Sequence, residues 1–202
     1  MELDTKESLI QAAIVVFAKK GFDGATVKDI ADAAGANVSL ISYYFDGKEG
    51  IYRACLERFG RDRLAVAERS LKPVKSVTEM KVRLSLLAEE FLHAHIEHRD
   101  IMQIIHRECS SSDSPFMKEL FRDTFFKVFQ TMLQFLKTCA KDEIISKEID
   151  PHLAAVSFFG SLVHFCRTEQ IQKEFFGKSL EDPKYREKVA SHCVKIFVEG
   201  IK

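Results

Sequence analysis

The chain has no tryptophan, only four prolines and nine glycines in 202 residues. So few breakers argue against a many-turned β-fold and favour long helices. There is no net formal charge, with 30 basic and 30 acidic side chains. That speaks against a protein that coats nucleic acid regardless of sequence, which needs an excess of basic surface. The five cysteines, at 55, 109, 139, 166 and 193, form no CxxC pair. They offer neither zinc-finger spacing nor a secreted disulfide framework, and read as reduced thiols on apolar stretches of a cytoplasmic protein. No apolar run approaches the roughly 20 residues that cross a bilayer. The longest, Leu153 to Phe165, carries His164 near its end. No secretory leader is read before residue 5, so a location in the cytoplasm with no membrane partner is expected. No nucleophile–base–orienter set and no glycine-rich phosphate loop can be assembled, so neither enzyme activity nor a cofactor is expected.

What is present is apolar periodicity. Hydrophobic residues make up 46% of the chain, enough for a core. Ile10, Ala13, Ile14 and Phe17 recur at i, i+3, i+4, i+7 and predict a helix over 5–20, stopped by Gly21. Two short helices follow, then one over 48–71 closed by Pro73. Met80, Leu84, Leu87, Phe91 and His95 form one stripe of a helix over 77–97. Further helices are expected over 100–109, 116–141, 150–176 and 183–201. The run Ser110–Pro115 reads as a loop, with Ser114 as cap and Pro115 in the first turn. No stretch alternates as a strand would. The expectation is an all-α protein of about nine helices. A three-helix head over 1–47 precedes a larger helical domain over 48–202.

Within the head, Thr26 to Phe45 reads TVKDIADAAGANVSLISYYF. Thr26 with Asp29 three residues on has the form of a capping box, with Asp in place of the usual Glu or Gln. Gly35 falls where that helix must end in a left-handed residue. Asn37 then caps a second short helix. Two helices joined by a tight glycine-containing turn make a helix-turn-helix. In the second helix Leu40, Ile41 and Phe45 can pack inward, leaving Val38, Ser39, Ser42, Tyr43 and Tyr44 outside. Small residues at a helix start permit approach to base edges, valine can touch a thymine methyl, and tyrosine hydroxyls can bond phosphates. The same residues could instead form a plain three-helix core with surface tyrosines. Charge alone does not decide: residues 1–50 hold five basic and eight acidic side chains, residues 51–75 seven and three.

The segment AAIVVFAKKGFDGATVKDIADAAGANVSLISYYFDGKEGIY resembles the TetR family of bacterial regulators over about residues 5–55. The matching pieces are FA-x-K-G-F, T-x-x-x-I-A-x-x-A-G, Y-x-F and G-K-E. The resemblance implies a homodimeric repressor whose paired third helices enter major grooves of a pseudo-palindromic operator. It further implies a C-terminal domain that binds a small-molecule effector. Residue by residue, it places Thr26 on a phosphate, Asn37, Val38, Ser39 and Ser42 along the groove, Tyr43 and Tyr44 on the backbone, and Lys48 on a phosphate. The chain departs from the pattern at Ser42, where family members often carry Tyr or Asn.

Most of the 17 phenylalanines fall after residue 90. Phe121, Phe125 and Phe129 are spaced i, i+4, i+8. Core packing accounts for most of them. An effector site lined by Phe59, Phe91, Met102, Phe121, Phe125, Phe129 and Phe159 is the sharper alternative, with His95, His98, His106, Arg63 and Arg107 as polar anchors. A metal sensor using His93, His95, His98 or Cys109 lacks a third ligand at convincing spacing, and no metal is expected. The segments 150–176 and 183–201 each show two apolar faces, the latter Val189/Cys193/Ile196 and Ala190/Val194/Phe197/Ile201. These two helices are expected to form the homodimer contact. The competing function is an all-helical small-molecule binding protein or enzyme whose N-terminal bundle is only structural.

Overall fold

The computed structural model describes residues 2–111 and 115–201, and in residues 2–4, 110, 111 and 115 the backbone alone. The described residues form eleven helices and no strand. They are α1 (Glu2–Gly24), α2 (Val27–Ala34), α3 (Ser39–Phe45), α4 (Lys48–Ser70), α5 (Val77–Glu97), α6 (Arg99–Ser111), α7 (Pro115–Asp123), α8 (Phe125–Lys141), α9 (Pro151–Arg167), α10 (Glu169–Phe176) and α11 (Pro183–Gly200). The all-α reading holds. The count of about nine does not, because two predicted helices are each broken in two at a threonine. Thr124 Oγ1 donates to the Leu120 carbonyl at 2.6 Å, and Thr168 Oγ1 to the His164 carbonyl at 2.8 Å. A hydroxyl bonded four residues back competes with the helix ladder and bends it. The Ser114 cap and most of the serine-rich loop lie outside the described residues.

Two compact units make up the chain. One comprises Met1–Asp62 with His98–Phe125, the other Arg63–Glu97 with Phe126–Lys202. In the first unit α1 packs on α2 and α6. Leu9, Ala13 and Phe17 of α1, Ile30 and Ala31 of α2, Ile41 of α3 and Leu56 of α4 are all buried. Burial of each large side chain here contributes about 1.5–3 kcal/mol. α1 kinks near its end, where Gly21 sits at φ 72°, ψ 174°. Two carbonyls before the kink, of Phe17 and Ala18, accept from Arg107 of α6 at 3.1 and 2.8 Å. The expected polar anchor of an effector is thus tied to the end of α1.

In the second unit α11 packs on α5 and α9. Leu84, Leu87 and Leu92 of α5, Met132 and Leu136 of α8, Phe158 and Leu162 of α9, and Val194 and Phe197 of α11 share one core. Here the expectation for α11 changes. Val189, Ala190, Cys193, Val194, Phe197 and Ile201 are all buried in the chain's own unit, and Ile196 alone of the two expected faces is exposed. A single broad face meets two neighbouring helices, which demands more apolar circumference than one contact does. No helix among the described residues is long and apolar enough to cross a membrane.

Candidate nucleic-acid interface

The turn between α2 and α3 is fixed by local chemistry. Thr26 Oγ1 accepts from the Asp29 amide at 3.1 Å, and Asp29 Oδ2 accepts from the Thr26 amide at 3.0 Å, closing the capping box. Gly35 ends α2 at φ 62°, a left-handed position that glycine occupies without the penalty a Cβ brings. The Ala36 amide then reaches back to the Ala31 carbonyl at 2.9 Å. Asn37 Oδ1 accepts from the amide and the hydroxyl of Ser39, at 2.9 and 2.8 Å, so it supplies the start of α3.

α3 is held from beneath and open above. Ile41 and Phe45 are buried and Leu40 is half-buried. Asn37, Val38, Ser39, Ser42 and Tyr43 are exposed, Tyr43 by 73%. Tyr44 is half-buried and meets the Tyr43 ring edge-on at 4.9 Å. The expected groove residues are therefore presented on one short helix whose apolar side is anchored. Beside them is an open depression of about 550 Å³ lined in part by Ser42, Tyr43, Tyr44, Lys6 and Arg53. The α3–α4 turn depends on Gly50. A Cβ there would lie 1.5 Å from the Phe45 carbonyl oxygen, so no other residue fits without moving the backbone.

Two of the expected phosphate contacts are already engaged within the head. The Thr26 hydroxyl donates to Asp29 Oδ2 at 2.8 Å. Lys48 Nζ donates to the carbonyls of Phe22 and Ala25 at 2.8 and 3.1 Å and lies 4.5 Å from the Phe22 ring centroid. An ammonium has three donors, so one remains. Phe22 in turn meets the buried Tyr52 ring at 4.9 Å, and the Tyr52 hydroxyl donates to Glu108 of α6 at 3.1 Å. Acidic charge near α2 is offset. Lys20 lies 2.7 Å from Asp29, and its hydrogen bond, with those from Thr26, lowers the Asp29 pKa to about 2. Glu7 is likewise paired with Arg58, which lowers its pKa. Burial pushes the Cys55 thiol up to about 12, so it is no thiolate at neutral pH.

The expected effector residues divide between the two units. In the first, Phe59 is buried and faces His98 at 5.5 Å and Phe125 at 6.2 Å, with Phe121 at 5.2 Å from Phe125. Met102 is buried and His106 half-buried on α6. His98 does not continue the inward stripe of α5. The helix ends at Glu97, and His98 is exposed. In the second unit His95 is buried, donates through Nδ1 to the Phe91 carbonyl at 2.9 Å and lies against the Phe91 ring at 4.4 Å. Phe159 is 5.7 Å from Phe91 and 6.3 Å from Phe129. Phe91, Phe129, Phe159 and Arg63 are half-buried. An open groove of about 620 Å³ in this unit is lined by Leu64, Leu71, Lys127, Gln134 and Phe135 among others, and by none of the expected effector residues. Among the described residues no three His, Cys, Asp or Glu are grouped to hold a metal ion.

Sequence reasoning missed Gly50, Lys20 as the partner of Asp29, and the Lys48 and Tyr52 contacts. Gly50 had a signal, since glycine in the first turn of a helix has no propensity to recommend it. The others join residues far apart in the chain and had none.

Residues 9–55 match the family model for the bacterial regulatory proteins of the tetR family. The chain belongs to the TetR family. The TetR segment so defined runs from α1 into α4 and contains every expected DNA contact. Among curated proteins the chain is 28% identical over 137 residues to the "Probable HTH-type transcriptional regulator YttP" of Bacillus subtilis, covering 66% of this chain and 65% of that one. The chain thus spans a little under two thirds of that relative's length. It is 22% identical to the transcriptional regulator RutR of Escherichia coli K12 over 200 residues, 98% of this chain and 90% of that one. Among solved structures, the TetR-type fold is shared with the transcriptional regulator FadR of Bacillus subtilis in complex with stearoyl-CoA. The TM-score is 0.76 at 17% identity, with 97% of this chain and 99% of that one covered.

Proposed function

We propose that the protein is a homodimeric, sequence-specific DNA-binding repressor whose α3 enters the major groove. One observation carries the reading: α3 buries Ile41 and Phe45 while leaving Val38, Ser39, Ser42 and Tyr43 exposed on a capped, braced helix. Valine and serine can read base edges, and the tyrosines can bond the backbone. Residues 1–47 are the DNA-binding domain and residues 48–202 carry effector binding and dimerisation. Thr26 and Lys48 reach phosphate by exchanging, or adding to, the bonds they make within the head. The dimer forms through the solvent sides of α9 and α11. The exposed stripe of α9, with Leu153, Val156, Ser157, Gly160 and Ser161, supports this.

The effector is an apolar or aromatic small molecule. The half-buried Phe91, Phe129 and Phe159 beside the buried His95 support that class, because core rings with no further task would be covered completely. The ligand of FadR, stearoyl-CoA, carries an apolar chain of this kind and is the first probe to try. The DNA reading is tested by anisotropy titration against a panel of operator variants. Val38→Ala and Ser39→Ala should each reorder the preference among variants. An unchanged order for both would remove α3 from base readout.

A further inference from the structure

We propose that the short helix α10 is a docking arm for a second copy of this chain, with Phe175 and Phe176 as its anchors. The inference rests on the two-fold dimer proposed above and names a part of its contact. α10 has no buried residue, and Ile171, Phe175 and Phe176 are 53%, 71% and 65% exposed. It is nevertheless braced. Glu169 accepts from the Ser179 hydroxyl at 2.7 Å and from the Leu180 amide through both carboxylate oxygens. Lys173 pairs with Glu181 at 2.8 Å, and Arg186 donates to the Leu180 carbonyl at 2.8 Å. Leu180 itself is buried, pinning the α10–α11 connection to the core. Two aromatic rings held in water on an ordered helix have already lost the conformational freedom that binding would otherwise cost. Aromatic anchors of this kind dominate interface energetics.

Area selects the occupant. A standard interface takes about 800 Å² from each partner, and in homodimers about 65% of it is apolar, so ~500 Å² is needed. The large exposed apolar side chains of α9 and α11 are Leu153, Val156 and Ile196. At their observed exposure they offer roughly 200 Å², taking about 1.5–3 kcal/mol per buried side chain at ~25 cal/mol per Å². Phe175 and Phe176 add roughly 100–170 Å² each, from the ~150–250 Å² that a buried aromatic covers. With α10 the surface reaches the size a stable dimer requires, and without it the surface falls short by about half. A membrane is a poorer fit, because a lipid-facing helix is flanked by free basic residues. Here the basic residue of α10, Lys173, is paired, and Glu169 and Glu174 are acidic. Closed two-fold symmetry then places each arm on the α9–α11 surface of the other copy.

The test compares three full-length proteins by sedimentation equilibrium, with circular dichroism to show that helix content is kept. Phe175→Ser with Phe176→Ser should weaken the dimer by about tenfold or more, as expected for hot-spot aromatics. Leu153→Arg with Ile196→Arg probes the α9–α11 contact separately. A photo-crosslinking benzoylphenylalanine at position 176 should yield a covalent dimer with its attachment in residues 150–201. If the serine pair leaves the dimer constant unchanged while the arginine pair yields monomers, the arm is overturned and the dimer reading stands. If the wild type is monomeric at micromolar concentration, both fall. Crosslinks to no second copy overturn the arm as well.

Discussion

Replacing Lys48 by alanine removes two hydrogen bonds to the Phe22 and Ala25 carbonyls and a cation above the Phe22 ring. Hydrogen bonds to a charged group contribute about 1.5–3 kcal/mol each, and a partly exposed cation–π contact about 0.5–1 kcal/mol. Lys48 is half-buried, and the freed carbonyls can recruit water, so the lower end applies. The net loss should be about 2–3 kcal/mol. For a chain of this size each kcal/mol moves the thermal midpoint by about 2–4 °C, giving a fall of about 5–10 °C. Lys48→Met keeps the stem over Phe22 and loses the donors, so it should fall in between. Thermal unfolding followed by circular dichroism reads all three proteins. The salt dependence of operator binding on the same samples separates the second role: loss of one phosphate contact lowers the slope by about 0.9. A midpoint within one or two degrees of wild type, about the width of a surface substitution, would refute the bracing role. A fall in slope alone would assign the lysine to DNA only.

Three further outcomes follow from the same structure. Gly50→Ala should prevent the α3–α4 turn from closing, because its Cβ meets the Phe45 carbonyl at 1.5 Å; a folded head of normal stability by thermal unfolding would contradict this. Asp29 is held below its ordinary value, so its contribution is complete above about pH 4, where the unfolded carboxylate is ionised. That contribution disappears as pH falls toward about 2, and an NMR-titrated carboxyl pKa at or above the ordinary value would break the Lys20–Asp29–Thr26 account. Phe158→Ala should cost about 3–5 kcal/mol as a fully buried core ring, whereas half-buried Phe159→Ala should cost less than half of that. Equal losses in denaturant titration would make Phe159 core and remove the support for an effector surface there.

How far the sequence could be read depended on the range of the interactions. The capping box of Thr26 and Asp29, the left-handed Gly35 and the Asn37 cap are contacts within a few residues, and their residue types name them. The α7–α8 and α9–α10 breaks were not legible, since hydrophobic periodicity runs through Thr124 and Thr168 without interruption. What stops each helix is the threonine hydroxyl's bond to the preceding turn. His98 was misplaced for a related reason: the stripe is extrapolated one turn past the end of α5. The two apolar faces of α11 were visible, but whether they meet a partner or the chain's own α5 and α9 is a tertiary fact. Lys48 shows the same limit at the site. Its type and position suit a phosphate, and only the fold shows two carbonyls from the end of α1 and the following turn already on its ammonium.

The central claim is sequence-specific recognition by a two-fold protein, and selection from a random DNA pool tests it most directly. Purified full-length protein should enrich a pseudo-palindrome whose half-sites are centred about 10 base pairs, or a multiple, apart. Selection repeated with Ser39→Ala should shift the preferred bases within each half-site and leave the spacing intact. No enriched sequence from the wild-type protein, or one without internal symmetry, would contradict the account.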